Sequence, residues 1–189
     1  SNAVDHNLFY SPKRTLNTNV TFGMMFSVRT FKGSLMALEC FLKAKKMYSN
    51  IELIVFGVED EKDFLPYGVD AKYYCQPSQE EIRDIYSQCD AWLFTSSSEG
   101  FGLPILEAMA CRTPVIGTRC GAAPDLLKSG GGVLIDINDG HALLSAMTKF
   151  YFMSDDEWLL MSDLAYKEAI LHNWEDKADQ FEQGLLSSY

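Results

Sequence analysis

A glycine-containing segment near the middle of the chain combines residue types that bind anions and hydroxyl groups. It reads SSSEGFGLPILE from Ser96 to Glu107, with glycines at positions 100 and 102. Glycines just before a helix let the backbone approach a ligand, and the free N–H groups of the first turn bind anions such as a diphosphate. The carboxylates of Glu99 and Glu107 accept hydrogen bonds from hydroxyls, as a sugar or a ribose offers. The segment therefore predicts a site for an anion with neighbouring hydroxyl groups.

The same features also have an ordinary structural interpretation. A Gly-x-Gly turn before a helix is common, and a glutamate on a protein surface is usually only solvated. The two glycines and two carboxylates alone leave both interpretations open, so the surrounding elements have to decide between them.

Short apolar runs alternate with segments of helical spacing along most of the chain. The predicted strands span residues 20–26, 51–56, 71–75, 91–94, 114–117 and 133–135. The predicted helices span 35–45, 80–88 with Ser78 as N-cap, 104–111 with Pro104 at the first position, 139–152, 155–171 and 174–187. Apolar strands that alternate with helices are typical of a parallel sheet covered on both faces. We therefore predict a doubly wound α/β domain with a six-stranded, parallel, Rossmann-like sheet, ending in consecutive helices.

The predicted sheet places the glycine-containing segment where ligands are expected. In open α/β sheets, ligands bind beyond the carboxyl ends of the strands. This rule selects the loops after residues 26, 57, 75, 95, 117 and 135. The segment 96–107 follows the fourth predicted strand, so it forms one of these loops.

Composition and charge restrict the classes of partner. The 189 residues include 16 basic and 26 acidic side chains, which give a formal net charge of −10. Nucleic-acid-binding domains normally carry a basic face, so we expect no nucleic-acid partner. The five cysteines are odd in number and form no Cys-x-x-Cys pair, which argues against a disulfide framework or a zinc site and favours a cytoplasmic location. No apolar run reaches the roughly 18 residues of a membrane span. Residues 1–3 are interpreted as an expression scar.

The stretch EGFGLPILEAMA, residues 99–110, resembles the Glu-x7-Glu signature of a large family of retaining glycosyltransferases, the glycosyl transferases group 1. Glycogen synthases and bacterial mannosyltransferases typify this family. Further segments resemble the family's pattern in the same order: Val4-Asp5-x3-Phe9, Lys32-Gly33, Leu53 to Gly57, Pro114 to Gly117 with Gly121 and Asp125, and Asn173-Trp174. The resemblance covers nearly the whole chain.

The resemblance implies one half of a GT-B fold, in which two Rossmann-like domains face each other across a cleft. Residues 4–19 would be the remnant of an interdomain linker, and residues 20–189 the C-terminal domain that binds a nucleoside-diphosphate sugar. The acceptor-binding N-terminal domain would be missing, so this fragment would be inactive alone. The implied reaction is glycosyl transfer with retention, as in polysaccharide biosynthesis, from a UDP or GDP sugar. No cofactor, metal or membrane span is implied, although the full-length protein could associate peripherally with a membrane.

The resemblance also assigns roles to individual positions. Glu107 corresponds to the carboxylate that binds the ribose hydroxyls, and Glu99 to the one beside the donor sugar. Lys32 corresponds to a lysine that stabilises the leaving diphosphate, which makes Glu99 and Lys32 the candidate catalytic residues. A lysine at a helix start is disfavoured by the helix dipole, so an incidental surface lysine is the weaker alternative. The other expected donor contacts are Gly100, Phe101, Gly102 and Leu103 through their N–H groups, Gly57 in the turn after the second strand, and Tyr74 and Gln76 beside the nucleobase.

One departure from the family pattern bears on donor binding. The family usually carries Gly-Arg at the end of the first strand, with the arginine on the diphosphate, whereas this chain reads Gly23-Met-Met-Phe26. Arg29 is close enough in sequence to reach the same phosphate from the following loop. The alternative is that Arg29 is a solvated loop residue.

Three other functions stay open from the sequence. A different GT-B enzyme, such as a sugar-nucleotide epimerase or a phosphorylase, would share the fold. A non-catalytic interaction domain derived from it is favoured by the missing strand-end arginine. A flavodoxin-like or dinucleotide-binding module ranks last, because no Gly-x-Gly-x-x-Gly follows the first strand.

Overall fold

The structure, a computed structural model, describes residues 3–172 apart from the side chain of Leu65. The predicted helix over 174–187 and the Asn173-Trp174 segment of the family resemblance lie outside the described residues. Within them, the predicted doubly wound α/β fold is confirmed. No helix of the described part is long and apolar enough to cross a membrane.

A single sheet of six parallel strands forms the centre of the domain. The strands are β1 (Val20–Phe26), β2 (Ile51–Gly57), β3 (Lys72–Cys75), β4 (Ala91–Phe94), β5 (Val115–Thr118) and β6 (Gly132–Ile135). Their order is β3-β2-β1-β4-β5-β6, and every adjacent pair is parallel. The chain winds outward from β1 in one direction and from β4 in the other. The carboxyl ends of β1 and β4 therefore flank the switch point at which sheets of this class bind ligands.

Seven α-helices connect and cover the strands within residues 3–172. They are α1 (Ser34–Met47), α2 (Glu61–Phe64), α3 (Gln79–Gln88), α4 (Leu103–Ala110), α5 (Ala123–Leu127), α6 (Gly140–Tyr151) and α7 (Asp155–Ile170). Ser78 caps α3 as predicted, because its side chain accepts a hydrogen bond from the Glu81 N–H. Pro104 is the second residue of α4 rather than the predicted first. The sequence did not predict α2 and α5, which are too short to show a helical period.

The strands bury side chains on both faces, which explains their continuous apolar character. Along β2, Leu53 and Val55 join the hydrophobic cluster beneath α1 and α6. The alternating residues Ile54 and Phe56 join the cluster on the other face, beneath α3, α4 and α5. Trp158 of α7 is fully buried. These two layers hold the strand ends, and the loops that follow them, in defined positions.

The buried carboxylate of Asp90 connects the lead-in residues to the amino end of the sheet. Asp90, directly before β4, is 0% exposed. One oxygen accepts hydrogen bonds from Arg14 Nη1 at 2.7 Å and Asn17 N at 3.2 Å, and the other from Thr21 N at 2.8 Å and Asn17 Nδ2 at 3.0 Å. The lead-in residues therefore pack onto the domain, although the interpretation of residues 4–19 as an interdomain linker stays a prediction.

Candidate functional site

Two loops meet at the switch point, one after β1 (residues 27–33) and one after β4 (residues 95–102). The Ser97 N–H donates to the Phe31 carbonyl at 2.7 Å, and Thr95 Oγ1 lies 3.1 Å from the carbonyl oxygens of both Lys32 and Gly33. Gly33 has φ of 69°, and a Cβ atom there would lie 2.1 Å from the Thr95 carbonyl oxygen. Only glycine permits both this backbone conformation and this approach. The glycine of the Lys-Gly pair seen in the sequence is thus required where the two loops cross.

The two predicted catalytic residues contact each other directly. Lys32 Nζ lies 2.5 Å from Glu99 Oε1, and the Ser96 hydroxyl donates to the same oxygen at 2.8 Å. Both charged side chains are mostly buried, with exposed fractions of 18% and 15%. A cation and a hydrogen-bond acceptor are therefore held side by side, as a phosphate and a neighbouring sugar hydroxyl would require.

The start of α4 has backbone donors with no side-chain partner. Gly102 is the N-cap residue with φ of 102°, and it makes no side-chain capping hydrogen bond. A Cβ atom at Gly100 would meet no atom within 4 Å, so the backbone is open to a ligand there. The Ala122 N–H donates to the Phe101 carbonyl at 2.8 Å and holds the glycine-containing loop in place. Leu103 follows at the helix start with 40% exposure. This geometry suits an anion at the helix N-terminus.

Glu107 lies further along α4 and is oriented by a buried tyrosine. The Tyr86 hydroxyl donates to Glu107 Oε2 at 2.9 Å. The Tyr86 ring is fully buried against Trp92, with 4.6 Å between the ring centroids. Burial raises the pKa of Glu107, and the Tyr86 hydrogen bond offsets only part of that rise. The carboxylate is thus incompletely satisfied and can accept hydrogen bonds from a further hydroxyl group.

A cavity of about 740 Å³ opens at the carboxyl ends of β1, β2 and β3. Four residues from the predicted site line it: Arg29, Lys32, Gly57 and Gln76. The sequence reasoning did not single out three other lining residues, Glu59, Gln79 and Ile82. For Glu59 a signal was present, because it lies in the loop after β2 that the carboxyl-end rule selects.

The remaining predicted site residues lie outside the wall of this cavity. Glu99, Gly100, Phe101, Gly102, Leu103 and Glu107 belong to the adjoining loop and helix after β4. The half-buried ring of Tyr74 packs against the hydrophobic core on the side of α3, with Lys72 Nζ 4.9 Å from the ring centroid. Gln76 has φ of 47° and places its side chain 3.1 Å from the Val58 carbonyl, at the cavity. Of the two base-contacting candidates, Gln76 therefore lines the cavity and Tyr74 does not.

The cysteines and acidic residues show no metal-binding arrangement in the described part of the chain. All five cysteines are free, and four of them are buried while Cys75 is exposed. Between residues 3 and 172, no group of three or more His, Cys, Asp or Glu side chains is placed to hold a metal ion. The absence of a required metal or cofactor stays a prediction.

The sequence profile of the family described as Glycosyl transferases group 1 matches residues 12–157. The chain belongs to this family. The match includes both loops at the switch point, Glu99, Glu107 and the whole cavity wall, so the family assignment covers the candidate site itself.

Two curated relatives each match part of this chain. The D-inositol 3-phosphate glycosyltransferase of Corynebacterium urealyticum is 35% identical over 102 residues, which is 53% of this chain and 24% of that protein. The N-acetyl-alpha-D-glucosaminyl L-malate synthase of Bacillus anthracis is 40% identical over 62 residues, 32% of this chain and 16% of that protein. The chain thus spans about a quarter or less of the length of these two relatives.

Solved structures of the family share the fold. The C-terminal domain of a glycosyl transferase group 1 family protein (LpcC) from Francisella tularensis superposes with a TM-score of 0.73 at 22% identity, covering 89% of this chain and 97% of that one. HepE from Anabaena, solved in complex with UDP-glucose, superposes with a TM-score of 0.80 at 20% identity, covering 99% of this chain and 56% of that one. The likeness confirms that the domain has the fold of the C-terminal half of such enzymes.

Proposed function

We propose that this domain binds a nucleoside-diphosphate sugar, with UDP or GDP as the nucleotide, for transfer of the sugar with retention to a glycan or another hydroxyl acceptor. The observation that carries the proposal is the Lys32–Glu99 pair, at 2.5 Å, which joins the loop after β1 to the loop that leads to the uncapped start of α4. A phosphate needs the cation and the backbone donors, and a sugar hydroxyl needs the carboxylate. The combination fits a sugar diphosphate better than it fits a phosphate alone or a sugar alone.

The site accommodates the parts of such a donor in sequence. Arg29 and Lys32 supply positive charge in the cavity wall for the diphosphate. Glu99 accepts hydrogen bonds from the sugar hydroxyls, and Glu107, held by Tyr86, accepts them from the ribose. Gln76, which also lines the cavity, is left for the nucleobase.

The proposed reaction needs charge stabilisation more than a protein nucleophile. The bond between the anomeric carbon and the phosphate oxygen breaks, and its electron pair leaves with the diphosphate. Lys32, Arg29 and the free N–H groups of α4 stabilise the negative charge that develops there. An acceptor hydroxyl that attacks from the face of the departing diphosphate yields retention, and its proton passes to the released phosphate oxygen. In this proposal the acceptor is bound by an N-terminal domain of the full-length protein.

A non-catalytic domain with the same fold is the second candidate. The observation that favours it is the cavity wall, which carries Met25 and Phe26 where the family usually places the strand-end arginine. This candidate predicts weak or absent binding of the diphosphate. The cytoplasmic location and a role in polysaccharide synthesis stay predictions under either candidate.

A binding screen separates the two candidates. Isothermal titration calorimetry of the chain with UDP, GDP, ADP and dTDP sugars should detect binding in the millimolar range or tighter for at least one donor. Glu107→Ala should abolish that binding because the ribose loses its acceptor. Glu52→Ala, which removes an exposed carboxylate of β2, is the matched control and should bind like the wild type. The proposal fails if no donor binds or if Glu107→Ala binds as tightly as Glu52→Ala.

A further inference from the structure

The loop that carries Arg29 is held by a carboxylate from the neighbouring strand. Glu59, two residues beyond the end of β2, accepts hydrogen bonds on Oε1 from the Ser27 hydroxyl and the Val28 N–H, both at 3.0 Å. Ser27 in turn accepts the Arg29 N–H on its hydroxyl at 3.3 Å, and its own N–H donates to Ser34 Oγ at 3.0 Å. Every residue from 27 to 29 is therefore tied, directly or through Ser27, to Glu59 or to α1.

Glu59 itself is anchored to the sheet. Its carbonyl oxygen accepts a hydrogen bond from the Tyr73 hydroxyl at 2.9 Å, and the Tyr73 ring stacks on Phe64 with 5.0 Å between centroids. Burial raises the pKa of Tyr73 to about 12, so this hydroxyl stays protonated and donates. The second carboxylate oxygen of Glu59 is buried and has no hydrogen-bond partner within the described residues. An anchored carboxylate with one oxygen committed to the loop is suited to holding backbone in place.

The charge state of Glu59 supports this role. Burial raises the pKa of Glu59, but the hydrogen bonds from the Val28 N–H and the Ser27 hydroxyl, together with the nearby backbone of residues 58 and 59, outweigh it and lower the pKa overall. The side chain is therefore ionised at neutral pH. Hydrogen bonds to an ionised acceptor are stronger than those to a neutral one, so they order the loop firmly.

Arg29 is left available at the end of this ordered loop. Its side chain is exposed and lines the cavity together with Lys32. Within residues 3–172, no carboxylate lies within ion-pair distance of its guanidinium. Glu59 lines the same cavity but contacts the loop backbone and the Ser27 hydroxyl instead of Arg29. A carboxylate in the wall of a site for an anion repels the ligand. Glu59 must therefore favour binding in another way that outweighs this repulsion.

We propose that Glu59 is a positioning residue that orders the Ser27–Arg29 loop so that Arg29 binds the donor diphosphate. Arg29 then replaces the arginine that is absent from the end of β1, and Glu59 makes the replacement effective by restricting the loop before the ligand arrives. The gain comes from lower ordering entropy on binding and outweighs the repulsion between two anions. This inference rests on the proposed function, because it concerns the same diphosphate.

A thermodynamic cycle tests the coupling between the two residues. The chain is titrated with UDP and with GDP by calorimetry, as the wild type, Arg29→Ala, Glu59→Ala and the double variant. Arg29→Ala should weaken binding about tenfold, as expected for loss of one charge-assisted contact. Glu59→Ala should weaken it by a similar or smaller factor, and the double variant should bind no more weakly than Arg29→Ala alone. Uridine or guanosine, which carry no phosphate, should bind equally to all four proteins.

Glu59→Gln separates the charge from the hydrogen bonds. The amide keeps a carbonyl oxygen for the Ser27 hydroxyl and the Val28 N–H but carries no charge. It should bind the diphosphate more tightly than Glu59→Ala, because the repulsion is gone and both loop hydrogen bonds are kept. Ser27→Ala removes one of the two loop contacts, and it replaces Glu59→Ala in the cycle if that variant does not fold by circular dichroism.

Two results would overturn the inference while leaving the proposed function intact. One is additive loss in the double variant, which would show that Glu59 acts independently of Arg29. The other is tighter binding by Glu59→Ala than by the wild type, which would show that repulsion dominates. If the wild-type chain binds neither UDP nor GDP, nor any of the donor sugars, the proposed function fails and the inference falls with it.

Discussion

The carboxylates at the two ends of the sheet differ in how completely their oxygens are hydrogen-bonded. At the amino end, Asp90 receives two hydrogen bonds on each oxygen, with Arg14 among the donors, and is closed to solvent. At the carboxyl end, Glu107 has one donor, Tyr86, and Glu59 has one oxygen with no partner among the described residues. The difference teaches that the domain completes its polar contacts where they stabilise the fold. It leaves acceptors available where a ligand can complete them.

The comparison has an energetic meaning. A buried charge with a full set of donors contributes to stability, whereas a buried charge with too few donors lowers it. Such incomplete groups persist when the surrounding structure holds them, and they concentrate at binding sites. Substitutions at the two ends should therefore change stability and binding in different proportions.

The largest effect is expected at Asp90. Asp90→Ala removes the only carboxylate partner that the Arg14 guanidinium has among the described residues, so that only backbone carbonyls remain for it. It also leaves the Thr21 N–H without its acceptor at a fully buried position. We expect a loss of about 3–5 kcal/mol in the free energy of unfolding, measured by urea denaturation. Asp70→Ala, at an exposed position, is the control and should change it by less than about 0.5 kcal/mol. Equal stability of the two variants would refute the structural role of the amino end.

Gly33→Ala should have the next largest effect. The new methyl group would collide with the Thr95 carbonyl oxygen at a residue with φ of 69°. Strain and overpacking together should cost about 2–4 kcal/mol and should also separate the two loops of the site. Gly100→Ala is the matched control, because a Cβ atom there meets nothing within 4 Å. A thermal melt that gives Gly33→Ala the midpoint of Gly100→Ala would contradict the loop-crossing geometry.

Lys32→Met tests the ion pair at the carboxyl end. It leaves the mostly buried Glu99 carboxylate with the Ser96 hydroxyl and without its cation. We expect a loss of about 1–3 kcal/mol in stability together with loss of diphosphate binding. Adding Glu99→Gln should restore part of the stability but not the binding, as chemical denaturation and calorimetry would show. Lys46→Met, on the exposed side of α1, should change neither quantity, and a similar loss there would point to a general charge effect.

The smallest expected change in stability is that of Glu107→Gln. It is a gain, whereas the preceding substitutions cause a loss, and it depends on pH. Burial raises the pKa of Glu107 above its ordinary value of 4.5. An acid whose pKa is higher in the folded state than in the unfolded state loses stability as the pH rises through the two values. Glu107→Gln keeps an acceptor for Tyr86 and removes the charge, so it should be more stable than the wild type at about pH 7. The difference should vanish at about pH 3, where the wild-type carboxyl is protonated in both states.

Unfolding measured across this pH range, with Glu52→Gln as the exposed control, would decide the point. A stability difference that stays constant with pH would contradict the raised pKa of Glu107. A binding assay on the same Glu107→Gln protein should show weakened donor binding despite the higher stability. That combination is the opposite of the result expected at Asp90.

The structural role of Arg112 is visible only from its tertiary contacts. In the sequence it directly follows the predicted helix over 104–111 and has no assigned role. In the structure it has φ of 61°, the backbone conformation that glycine adopts without strain. Its Nη1 atom lies 2.5 Å from Asp163 of α7, and its guanidinium lies 4.0 Å from the Tyr166 ring centroid. The arginine thus connects the end of α4 to α7 and does not line the cavity at the carboxyl ends of β1, β2 and β3.

The sequence by itself determined the sheet, its parallel direction and the loops that could bind a ligand. Apolar runs that alternate with helical periods depend on local residue order, and so does the glycine-containing turn before α4. The helix N-cap at Ser78 was also predictable, because a capping box lies within four consecutive residues.

Only the tertiary structure decided which side chains meet. Lys32 and Glu99 are 67 positions apart, Tyr86 and Glu107 are 21 apart, and Glu59 is 31 positions from the Val28 N–H that it holds. The first and third pairs arise because parallel strands bring their carboxyl ends together whatever the length of chain between them. The Tyr86–Glu107 pair arises because α3 packs beside α4. The residues of the site were therefore mostly visible in the sequence, while their pairing, burial and protonation followed from the fold.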